Sequence, residues 1–61
     1  SKGIVPTVIC SSEFNVIKGN TTYKFNAGST KEWIFILDKG VNNLTLNGTG
    51  NIEFVFRKEV L

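Results

Sequence analysis

The sequence predicts an all-β fold, a small antiparallel β-sandwich or partly open barrel of five to six strands. Three observations carry that expectation. Alanine occurs once and methionine never, while β-branched and aromatic residues are abundant, so helix formers are scarce. Apolar and polar residues alternate with period two over runs of strand length. Glycine and asparagine cluster between those runs, where the chain has to turn.

The elements follow in chain order. The first run, Ile4 to Cys10, carries Pro6, which cannot donate to a ladder and so places itself at a strand start or on an edge. Phe14 and Val16 alternate with Glu13 and Asn15, Lys18-Gly19-Asn20 turns the chain, and Tyr23, Phe25 and Ala27 alternate with Thr22, Lys24 and Asn26. That pattern predicts a hairpin. Trp33-Ile34-Phe35-Ile36-Leu37 is apolar on both faces, as a central strand covered from two sides would be, and Asp38-Lys39-Gly40 closes it. Leu44 and Leu46 then share one face, and Ile52, Phe54 and Phe56 share the face of the next run. Asn47-Gly48-Thr49-Gly50 lies between them and predicts a second hairpin, the strongest local turn signal in the chain.

Sixty-one residues make one domain, 1–61, read either as a complete small protein or as a domain excised from a longer chain. A chain this short buries only about 60% of the surface its unfolded form exposes. Cores of this size usually need a disulfide, a metal or a partner. Cys10 is the single cysteine and there is no histidine, so no internal disulfide or histidine-based metal site can form. Protein partners or self-association remain as the expected support. Seven basic and five acidic residues give a net charge of +2, spread along the sequence as befits solubility. No apolar run approaches the length of a membrane span, and no cofactor-binding motif is present.

Catalytic chemistry is not expected. A serine or cysteine nucleophile needs a base, and the usual imidazole is missing. Glu13, Glu32, Asp38, Glu53 and Glu59 fall on polar strand phases or in turns, the pattern of solvated charges rather than of an acid/base pair. Cys10 beside Ile9 reads as a small core residue. The Asn-x-Thr triplets at Asn20, Asn43 and Asn47 read as turn and strand chemistry, and the Gly48/Gly50 pair lacks the lysine and helix of a phosphate loop.

The stretch from Leu37 to Leu61 combines Gly40 and Asn42, Leu44 and Leu46, Gly48 and Gly50, then Ile52, Phe54, Phe56, Arg57, Glu59 and Leu61. In that order it resembles the closing segment of the distal tail proteins of long non-contractile-tailed phages. The resemblance implies a β-sandwich module in a tail-tip or baseplate-like assembly, located in the virion and making contacts rather than turning over substrate.

Three functional readings follow. The first is a non-catalytic structural or assembly module, placed by the resemblance in a phage tail. The second is a carbohydrate-binding or adhesion module, for which Trp33 is the candidate ligand-stacking residue. Its parity with Phe35 and Leu37 predicts an inward ring, whereas an exposed Trp33 beside asparagines would strengthen the sugar reading. The third and least favoured is a small barrel binding single-stranded nucleic acid through Tyr23-Lys24-Phe25, where parity puts the rings inward and the amine outward.

Overall fold

The computed structural model describes residues 3–57. Six strands form: β1 (Thr7–Cys10), β2 (Phe14–Lys18), β3 (Thr21–Phe25), β4 (Gly28–Thr30), β5 (Leu44–Gly48) and β6 (Ile52–Val55). They make two three-stranded antiparallel sheets, ordered β4-β1-β6 and β3-β2-β5. The sheets pack together as a small sandwich.

The connectivity follows a simple rule. β1 and β2, β3 and β4, and β5 and β6 are consecutive pairs, and in each pair the two strands lie in different sheets. Each pair is therefore an arch that contributes one strand to each layer, and three arches stand side by side. The β1–β2 arch occupies the middle, so β1 and β2 are the two central strands. Pro6 sits immediately before β1, where its missing N–H costs the ladder nothing.

One hairpin is present, and it is the first of the two expected. β2 and β3 pair from Phe14↔Phe25 to Lys18↔Thr21. Gly19 takes the first central turn position at φ 63°, the place a type II′ turn reserves for glycine. The expected second hairpin is corrected: β5 pairs with β2 (Val16↔Leu46) and β6 with β1 (Val8↔Phe54), not with each other. A type I′ turn on Asn47-Gly48 would need positive φ at both residues, and no non-glycine residue described has one. Dividing the two strands between layers also lets each flank a central strand already in place.

The expected central strand at 33–37 is likewise corrected. Trp33 and Ile34 form a turn, and the Phe35 N–H donates to the Glu32 carbonyl at 3.0 Å. Only Leu37 pairs, through two 2.8 Å bonds exchanged with Ile4. Two three-stranded layers already close the core, so no third layer exists to cover Ile34 and Ile36, which stay exposed. Ala27 falls outside the strand foreseen for it, in the short link between β3 and β4.

The core consists of Val8, Cys10, Phe14, Val16, Phe25 and Phe35. Phe35 comes from the long β4–β5 connection and is fully buried. Its ring meets Tyr23 edge-on at 4.9 Å and Phe25 edge-on at 5.3 Å, and lies against Phe54 at 6.0 Å. Tyr23 and Phe25 thus turn inward as parity requires. Cys10 is a buried core thiol, and that burial pushes its pKa above the ordinary value of 9.0. Leu44, Ile52 and Phe54 pack on the cluster, whereas Leu46 and Phe56, expected on the core face, are exposed in large part.

The connection itself is held at its far end. Asn42 closes a polar turn on Asp38, accepting from the Asp38 N–H at 2.7 Å and donating to the Asp38 carbonyl at 2.8 Å. Lys18 ties Asp38 to β2 at 3.3 Å. The expected turn at Asp38-Lys39-Gly40 is therefore present, anchored to the hairpin end of the molecule.

Candidate functional site

Two surface features offer contacts, and each follows from the arches. The first is the open side of the β5–β6 arch. β5 and β6 are both edge strands, so one side of the sandwich presents two rows of backbone groups, one per layer. β5 carries no charge along Leu44–Gly48 and exposes part of Leu46, while β6 carries one exposed acid, Glu53. The opposite side, formed by β3 and β4, differs. It is polar, with Thr21, Thr22 and Ser29, and carries Lys24 paired to Glu13 at 3.6 Å. A lysine on an edge strand discourages pairing with another chain.

The second feature lies on the outer face of the β4-β1-β6 sheet. Val8 and Cys10 point into the core, so Thr7 and Ile9 point outward on the same strand. Thr7 stands opposite Val55. Around that pair Val5, Lys31, Phe56 and Arg57 complete an open groove of about 560 Å³. Lys31 Nζ also lies 4.7 Å from the centre of the Trp33 ring, a cation–π contact that puts Trp33 next to one of the lining residues.

Trp33 itself is 67% exposed, which corrects the expectation of an inward ring. Its turn conformation breaks the strand parity from which that expectation came. Its neighbour, however, is a lysine, and no asparagine lines the groove among the described residues. The hydroxyl-binding amides that a sugar site would place beside the ring are thus not assembled around it. The groove instead joins two cations to the exposed Phe56 ring, with Trp33 held beside it by Lys31. Sequence reading missed Phe56 and Arg57 because Phe56 shares the parity of the core residues Ile52 and Phe54. It leaves that phase only because β6 ends at Val55.

No protein-family model, curated protein or solved structure gives a match to this chain. Among the described residues no group of histidine, cysteine or carboxylate side chains could hold a metal ion, and no helix is long and apolar enough to cross a membrane. The expected charged end of the last strand, Lys58, Glu59, Val60 and Leu61, lies outside the described residues.

Hydrogen bonds join two of the arch links at the far end of the molecule. The Ser11 N–H donates to the Asn51 carbonyl at 2.9 Å, and the Asn51 N–H donates back to Ser11 Oγ at 2.8 Å. Ser12 Oγ donates to the Thr49 carbonyl. The middle link is thereby fastened to the β5–β6 link, which fixes the orientation of the open arch behind it.

Proposed function

We propose that this protein is a non-catalytic assembly module that associates through the open side of its β5–β6 arch. The carrying observation is that both strands of one arch are edge strands, with β5 uncharged along Leu44–Gly48 and Leu46 partly exposed on it. A lone strand from a partner could satisfy only one of the two layers. A second β5–β6 arch satisfies both, and an isologous pairing of two copies closes without leaving that edge open. The thin core adds a reason, since a six-stranded layer on each side would shield apolar surface that one copy leaves in water.

The resemblance of residues 37–61 to phage distal tail proteins supports placing such a module in a tail tip or similar particle. Within that stretch the glycine-rich link joins two layers rather than turning a hairpin, so the support comes from the order of residues alone. The carbohydrate reading is favoured by one observation, the exposure of the Trp33 ring.

Sedimentation equilibrium tests the association. The unaltered chain should sediment as a dimer or larger species at micromolar concentration. Thr45→Lys, which places a charge on the exposed face of β5, should reduce the mass to that of a monomer, while Thr22→Lys on β3 should leave it unchanged. A monomer at every concentration, or a Thr45→Lys chain that still associates, would contradict the proposal.

A further inference from the structure

We propose that the groove on the outer face of the β4-β1-β6 sheet binds single-stranded nucleic acid, with bases stacked on Trp33 and Phe56 and phosphates held by Lys31 and Arg57. This site is separate from the strand triplet Tyr23-Lys24-Phe25, whose two rings turn inward and whose amine is paired to Glu13.

The chemistry is assembled from two pairs of side chains distant in sequence, Lys31 with Trp33 and Phe56 with Arg57. Lys31 follows β4 directly, and Phe56 and Arg57 follow β6, so the ends of the two outer strands deliver them to one groove across β1. Trp33 is 67% and Phe56 55% exposed, unusual for large rings in a chain whose core is short of apolar volume. Val5, Thr7 and Val55 complete the lining, which contains no carboxylate. Among the described residues neither Lys31 nor Arg57 is paired with an acid, whereas Lys18 and Lys24 both are. On the same face Glu53 lies opposite Ile9, two residues along β6 from Val55, and Glu32 stands between Lys31 and Trp33 in sequence.

Charge selects an anion and the rings select a flat partner. A polyanion with no planar group would use only the two cations. A neutral sugar would use only Trp33 and would find no amide partners in the groove. A single strand uses both, since every base has a face to stack and every step a phosphate to neutralise. Two phosphate contacts make the binding weak and steeply dependent on salt: for single strands the logarithm of affinity falls by about 0.7 per neutralised phosphate for each tenfold rise in salt, so a slope near −1.4 is expected.

Trp33 is the single tryptophan, so its emission reports directly on the groove. Titration with an oligothymidylate of about six nucleotides at low salt should quench that emission saturably, with the stated slope. Arg57→Gln should roughly halve the slope, and Phe56→Ala should weaken binding about fivefold or more, as loss of one stacked base requires. Circular dichroism of each variant should match the unaltered chain, because both residues are exposed. Absence of saturable quenching, equal quenching by polyglutamate, quenching by a neutral oligosaccharide in place of the oligonucleotide, or folded variants that bind undiminished would each overturn the proposal.

Discussion

Replacing Phe35 with alanine is expected to leave the chain largely unfolded. Phe35 belongs to no strand, yet its ring is the hub of the aromatic cluster, in contact with Tyr23 and Phe25 of one sheet and Phe54 of the other. Truncating a buried phenylalanine to alanine costs about 3–5 kcal/mol, from lost transfer free energy and from the cavity that remains. A chain of this length has a total stability of roughly 3–9 kcal/mol by the usual per-residue scale, so the loss consumes much or all of it. The same change at exposed Ile34, one residue away, should cost well under 1 kcal/mol. Urea unfolding followed by Trp33 emission compares the two directly. A Phe35→Ala chain with a midpoint close to that of Ile34→Ala would mean that the β4–β5 connection does not seal the core.

Gly50→Ala is also expected to destabilise the fold, and its cost should depend on Ser11. Gly50 has φ 122°, a conformation that side-chain-bearing residues rarely adopt, and a Cβ there would run into Ser11 Oγ. Backbone strain alone is of order 1–3 kcal/mol and overpacking adds to it. Ser11→Ala alone should cost about 1 kcal/mol, because the Asn51 N–H loses its acceptor. Combined, the two changes should cost less than their sum, since alanine at position 11 removes the oxygen that the new methyl group strikes. Additive effects in this double-mutant cycle would show that residues 11 and 50 do not touch, and with them would go the contact between the two arch links.

The legible part of the fold was whatever one strand dictates for itself. Period-two alternation identified β2, β3, β5 and β6, the run Ile4 to Cys10 identified β1, and the Gly19 turn identified the β2–β3 hairpin, because the signals are local. β4 was hidden: Gly28-Ser29-Thr30 has no apolar alternation and is a strand only because β1 lies beside it. The Asn47–Gly50 link looked like a hairpin because glycine-rich turns and glycine-rich arches share a composition. What separates them is where partners for Leu46 and Phe54 are found, a matter of tertiary pairing. Trp33 was misplaced for the related reason that parity applies only while the chain stays extended, and the turn at Trp33-Ile34 resets it. Of the candidate site Trp33 was legible as a residue of interest, but its companions were not, since Lys31, Phe56 and Arg57 meet only after β4, β1 and β6 have paired.

Both the open edge and the groove depend on the arches, with β5 and β6 in separate layers. Interstrand nuclear Overhauser effects on the labelled chain test that arrangement most directly. Backbone contacts linking Val8 with Phe54 and Val16 with Leu46 are expected, with none that pair Leu44–Gly48 against Ile52–Val55. A continuous ladder of contacts between those last two segments would instead make them a hairpin, and would dissolve the double-layered edge and the groove together.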